Sequence, residues 1–127
     1  MKKISYATVV KIVLSTLSNN AGTLKEIDCV VGLVSKGLFP AALIATELKK
    51  QFCVYDLSFD SKEIKGKNVL LVTDFFFDDA TALEVKNSFL RSGANGVELF
   101  SIFHKQGVMA NPIYSKKVGK EVSFPWS

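Results

Sequence analysis

Apolar residues recur at helical spacing near the start of the chain. Tyr6, Val10, Val13, Leu14 and Leu17 share one face, and Ser18, Asn19, Asn20, Ala21 and Gly22 then read as a helix stop. The pattern changes at residues 27–34, an apolar run interrupted only by Asp28 and Gly32. A strand that is apolar on both faces is buried on both, which predicts a parallel sheet. Ser35, Lys36 and Gly37 form a turn. Pro40 opens a second helix that continues through Ala41, Ile44, Ala45 and Leu48, because a missing N–H costs nothing in a first turn. Residues 52–59 alternate loosely as a second strand, 60–67 are a short charged loop and 69–73 a third strand. Ala82, Val85 and Phe89, flanked by Leu83 and Leu90, mark a third helix, and Gly93 is placed to end it. Residues 97–103 read as a fourth strand, 106–120 as polar and irregular, and 121–127 as a short extended tail. The order helix, strand, helix, strand, strand, helix, strand predicts an α/β fold with a mainly parallel sheet flanked by helices. With no repeat, low-complexity tract or linker in view, residues 1–127 are expected to form a single domain.

Composition narrows this picture only modestly. Apolar residues make up 48% of the 127, enough for a real core, and the charged fraction of 22% argues against disorder. The net charge of +4 favours anionic ligands such as phosphates but is too small to single out nucleic acid. Cys29 and Cys53 both lie in apolar, strand-like runs and read as buried thiols of a reducing compartment, so a cytoplasmic location is expected. A single histidine, His104, is too few for a zinc site. No apolar run approaches eighteen residues, so no membrane span is expected.

The densest chemistry lies in residues 68–83. Asp74 directly follows the third strand, three phenylalanines come next (Phe75, Phe76 and Phe77), and then Asp78, Asp79 and Thr81 lead into a helix. Ligands of open α/β sheets bind outside the carboxyl ends of the strands, which makes Asp74 a candidate for chemistry. Asp78 and Asp79 read either as an acid pair or as an N-cap and first-turn acid for a helix starting at Ala80. The three phenylalanines cannot all be buried in an extended segment. They read as a stacking or subunit surface, or as a plug. Lys116, Lys117 and Lys120 read as a solvated basic face, and Trp126 as packing the tail onto the rest of the chain.

Three stretches, in order, resemble the type I phosphoribosyltransferases, with the closest likeness to the short xanthine-guanine (6-oxopurine) group. Val30-Val31-Gly32-Leu33-Val34-Ser35-Lys36-Gly37-Leu38-Phe39-Pro40-Ala41 is similar to that family's strand, Arg-Gly-Gly pyrophosphate loop and proline-led helix. Gly66-Lys67-Asn68-Val69-Leu70-Leu71-Val72-Thr73-Asp74, continuing to Thr81-Ala82, resembles its diphosphoribosyl motif of two acids, two residues, Asp-Thr-Gly, one residue and Thr. Phe103-His104-Lys105 and Phe124-Pro125-Trp126 look like its base-binding lysine strand and closing tail. Aligned without gaps, Thr73 stands in place of the first acid, Asp74 keeps the second, Phe77 replaces the loop aspartate, and Asp78 and Asp79 replace Thr-Gly. Moving the alignment by one residue makes Asp78 the loop aspartate.

The resemblance implies transfer of ribose 5-phosphate from phosphoribosyl pyrophosphate to a purine base with Mg²⁺. Asp74 and Asp78 would be catalytic. Ser35, Lys36, Gly37, Asp74, Asp79, Thr81, Lys105 and Val122 would bind substrate, and Asp74 would also meet the metal. It further implies a minimal hood over the site and a homodimer. A different class of function stays open: a non-catalytic protein of the same fold, acting as a nucleotide-binding regulator or an interaction subunit. Paired acids, a phosphate cradle at a helix N-terminus and a hard metal ion suit a cationic sugar transition state, where positioning and electrostatics dominate.

Overall fold

A computed structural model describes residues 2–33, 36–56, 58–76, 79–105, 114–118 and 122–126; for residues 2, 75, 76, 79, 81, 82, 104, 105 and 114–118 it describes the backbone alone. In chain order the elements are β1 (Lys2–Lys3), α1 (Tyr6–Asn19), α2 (Ala21–Leu24), β2 (Cys29–Leu33), α3 (Leu38–Leu48), β3 (Gln51–Tyr55), a 3-10 turn (Ser61–Glu63), β4 (Asn68–Phe76), α4 (Asp79–Arg91), β5 (Gly96–Lys105), β6 (Tyr114–Val118) and β7 (Val122–Ser123).

Local chemistry sets most boundaries. Ser5 caps α1, its hydroxyl oxygen accepting the Thr8 N–H at 3.1 Å. Asp60 caps the 3-10 turn by accepting the Lys62 N–H at 2.9 Å. Gly93, with φ of 106°, supplies the left-handed residue that ends α4, as its position in the sequence predicts. Pro40 lies within the first turn of α3, two residues after its start.

Five strands pair in the order β3-β2-β4-β5-β6, and each of the four pairings is parallel. Side chains alternate across the sheet and build two cores. Val30, Leu70, Val72, Phe100 and Ile102 pack with Val9 and Val13 of α1, with Ala41 and Ile44 of α3, and with Phe124 of the tail. On the opposite face Cys29, Val31, Cys53, Leu71 and Leu99 pack with Ile64 and with Phe89 of α4. A separate two-stranded pairing joins the ends of the chain: β1 lies parallel to β7, Lys2 opposite Val122, and the Ile4 amide donates to the Ser123 carbonyl at 2.8 Å.

Several expectations need correction. The second strand stops at Tyr55, short of residue 59. There Asp56 turns the chain by accepting the Ser58 N–H at 2.8 Å. The third strand does not end at Thr73 but runs to Phe76, because β5 offers partners that far, pairing Phe75 with Phe103 and Phe76 with His104. Asp74 is therefore inside a strand. Within the stretch expected to be irregular, residues 114–118 form β6, paired with β5. The short helix α2 and the β1–β7 pairing were also not expected, being too brief for periodicity to register.

Candidate functional site

The sheet changes direction between β2 and β4. From β2 the chain passes through α3 to β3 at one edge, and from β4 it passes through α4 to β5 on the other side. The two helices cover opposite faces. The crevice between two such diverging connections, at the carboxyl ends of the strands, is where open α/β sheets bind ligands.

Asp74 stands in this crevice. Val72 is opposite Gly32 in the β2–β4 register, which puts Asp74 one residue past Leu33, the last residue of β2. It shares a face with Leu70 and Val72, toward α1, α3 and the tail. Only 7% of it is exposed. A buried carboxylate needs donors, and the Trp126 indole Nε1 donates to Asp74 Oδ2 at 2.9 Å. The indole is stacked on Phe124 at 5.0 Å with a 9° interplanar angle, and it lies 5.8 Å from Phe39 and 6.2 Å from Tyr6, ring centre to ring centre. Thr73, on the other face, is buried and opposite Ser101, which is also buried. An acid at position 73 would be a second buried carboxyl group, costlier to desolvate than a hydroxyl, so threonine suits this packing better.

The β2–α3 turn forms the opposite wall. Gly37 is buried, and a Cβ there would run into the Val72 carbonyl oxygen. Its missing side chain is what lets the turn lie against β4 two residues before Asp74. The Gly37 amide donates to the Leu33 carbonyl at 2.7 Å, and its carbonyl accepts the Ala41 amide at 2.9 Å, which starts α3 at the same edge. Lys36, one residue earlier, is exposed.

The remaining predicted residues are spread along this edge. Asp79 is the first residue of α4 and Thr81 lies in its first turn; the helix starts one residue before the expected Ala80. Lys105 ends β5. Val122 lies in β7, half-buried against the core. Ser35 and Asp78 are outside the described residues, as is Phe77. Asp74, Lys36, Gly37 and the starts of α3 and α4 thus converge at one edge. Trp126 is the participant that sequence reasoning missed. It was expected to pack the tail and to form part of a closing-tail resemblance, not to partner Asp74, and its bond spans 52 residues of sequence.

Among the described residues no group of three histidine, cysteine or acidic side chains could hold a metal ion alone. Asp74 contributes one hard oxygen ligand. That fits Mg²⁺ only as an ion that completes its shell with substrate oxygens and water, its usual habit. Cys29 and Cys53, as expected, are buried; their sulfurs are 3.2 Å apart on adjacent strands. Burial pushes both thiols above the ordinary value of 9.0, and for Cys53 the neighbouring Glu63 adds to the rise. Among the described residues no helix is long and apolar enough to cross a membrane.

No protein-family model matches the chain, and no curated protein matches it by sequence. Solved structures do match. A purine phosphoribosyltransferase from Pyrococcus horikoshii superposes with a TM-score of 0.81 at 20% identity, covering 99% of this chain and 94% of that one. The chain has the fold of the type I phosphoribosyltransferases. The xanthine-guanine-hypoxanthine phosphoribosyltransferase of Helicobacter pylori superposes with a TM-score of 0.78 at 15% identity, covering 98% of this chain and 90% of the other. A hypothetical protein from Neisseria gonorrhoeae with bound ppGpp gives a TM-score of 0.75 at 15% identity, with 98% and 89% covered. The phosphoribosyltransferase fold expected from residues 30–41 and 66–82 is thus present across nearly the whole chain.

Proposed function

We propose that this chain is a purine phosphoribosyltransferase, joining ribose 5-phosphate from phosphoribosyl pyrophosphate to a 6-oxopurine base. The observation that carries the reading is Asp74, a buried acid in the crevice between β2 and β4 of a fold shared with purine phosphoribosyltransferases. In this reading the Asp74 carboxylate binds the ribose hydroxyls and favours positive charge developing at the sugar carbon as pyrophosphate departs. The Lys36 ammonium and the backbone of the Ser35–Gly37 turn meet the pyrophosphate. The start of α4, with Asp79 contributing its backbone N–H and Thr81 its hydroxyl, holds the 5′-phosphate, where the helix dipole favours an anion. Asp78 acts beside Asp74 at the sugar. Lys105 meets the exocyclic oxygen of the base, and Val122 borders it. Asp74 would hold Mg²⁺ together with substrate oxygens, and the ion would supply charge neutralisation on the leaving pyrophosphate.

Chromatographic detection of nucleotide tests this directly. Phosphoribosyl pyrophosphate and Mg²⁺ are supplied with guanine, xanthine or hypoxanthine in turn. The reading expects a nucleoside monophosphate from at least one base, lost in Asp74→Asn. No product from any of the three would contradict it.

A second reading, nucleotide binding without transfer, has one specific observation in its favour. Asp74 is already engaged by Trp126, and Thr73 occupies the position of the other acid. The structural likeness to a protein with bound ppGpp is compatible with such a role. Tight guanine-nucleotide binding with no product formed would select this reading over the first.

A further inference from the structure

The tail reaches the candidate site through a directional contact. Trp126 donates its indole N–H to Asp74 Oδ2 at 2.9 Å, and its ring is packed among three others. Phe124, 5% exposed, anchors the tail in the core beside Phe103, at 5.9 Å between ring centres. The indole is stacked on Phe124 and leans on Phe39 and Tyr6. Tyr6 is the first residue of α1, and Phe39 is in the first turn of α3, two residues after Gly37. Behind the rings, β7 is tied to β1 by backbone pairing. One side chain therefore spans the crevice, touching the helix that follows the β2–α3 turn on one side and the β4 acid on the other.

Indole N–H is a donor with no acceptor capacity. It can hold a carboxylate oxygen but cannot exchange roles with it as a hydroxyl or an amide could. A carboxylate with one oxygen fixed in this way loses rotation about its terminal bond, which is the freedom a ligand would otherwise have to arrest.

We propose that Trp126 is a positioning residue for Asp74: the tail orients the carboxylate toward the hydroxyls of a ribose phosphate and so preorganises sugar binding. The proposal rests on the phosphoribosyl reading of the crevice. It assigns the tail a part in ligand affinity, acting through Asp74 and without itself touching the ligand.

The test is a double-mutant cycle read by calorimetric titration with phosphoribosyl pyrophosphate and Mg²⁺. Trp126→Phe keeps a six-membered ring against Phe124 and Phe39 and removes the N–H with the rest of the five-membered ring; the fold is expected to persist, and a thermal melt of each variant checks this. Affinity should fall about tenfold in Trp126→Phe, equivalent to about 1.4 kcal/mol. Added to Asp74→Ala, the same substitution should cause no further loss, because the group through which it acts has gone. A tail that merely braces the fold would weaken binding equally in both backgrounds, and that result overturns the proposal. So does a Trp126→Phe protein that binds as tightly as the wild type. A wild-type protein that binds no ligand fails differently: it removes the phosphoribosyl reading, and the positioning role goes with it.

Discussion

On the face of the sheet covered by α1, α3 and the tail, a carboxylate is buried; on the face covered by α4, two thiols are. Asp74 is 7% exposed, while Cys29 and Cys53 are 0% and 4% exposed. The thiols can stay neutral, touch each other and fill space, and burial raises their pKa so that they remain protonated. A carboxyl group is more polar than a thiol and costs more to desolvate. It is tolerable in a core only with donors around it, here including an indole from the far end of the chain. The difference separates packing from candidate chemistry. The α4 face buries polar atoms at little cost, and the tail face holds one in an arrangement that packing alone does not require.

The largest expected effect comes from closing the space beneath the crevice. Gly37→Ala drives a methyl into the Val72 carbonyl, so the β2–α3 turn has to lift from β4. Overpacking of this kind costs about 3 kcal/mol. A urea titration should show a matching drop in midpoint, and an unchanged midpoint would mean the turn does not lie against β4 as described. Next is Asp74→Asn, which keeps the shape and removes the charge. If the tail face is the ligand face, affinity for phosphoribosyl pyrophosphate should fall by about 2 kcal/mol, the scale of a hydrogen bond to a charged group. Cys53→Ser should leave that affinity alone.

The thiols give a pH signature of opposite character. Their folded pKa values lie above the ordinary 9.0, so above pH 9 the unfolded chain releases protons that the folded chain retains. Stability is thus complete below about pH 9 and declines as the pH rises from there, because the folded thiols keep protons that the unfolded ones release. Urea midpoints at pH 8 and pH 10 should differ more in the wild type than in a Cys29→Ala, Cys53→Ala double variant; equal differences would show that the thiols are not protonated by burial. The smallest effect is at the edge of the tail-face layer. Ser5→Ala removes the α1 cap and should lower stability by about 1 kcal/mol, read by the same titration.

Much of this could be read from the chain before any coordinates. Residues 27–34 were apolar on both faces, and that, with the alternation of helices and strands, predicted a parallel sheet, because one-sided burial would have left every second position polar. Asp74 stood out as a charge directly after the third expected strand. What escaped notice did so for physical reasons. The β6 strand, Tyr-Ser-Lys-Lys-Val, has a neighbour on one side only among the described residues, and charged residues in a sequence are compatible with such an edge. β1 and β7 are two residues each, below any periodicity. The extension of β4 through Phe76 depends on where β5 ends, a fact held 28 residues away at His104. The Trp126–Asp74 bond is longer-range still, and no local pattern announces it; the hints were the chain's only tryptophan in a short tail and that tail's resemblance to a closing one.

Asp74 being a ligand group, and not simply a buried acid satisfied by the tail, is the claim on which the rest depends. Isothermal calorimetry of the wild-type protein with phosphoribosyl pyrophosphate, with and without Mg²⁺, tests it most directly. The account predicts saturable heat that is strengthened by Mg²⁺ and greatly weakened in Asp74→Asn. No heat at millimolar ligand, or an affinity indifferent to Asp74→Asn, would contradict it.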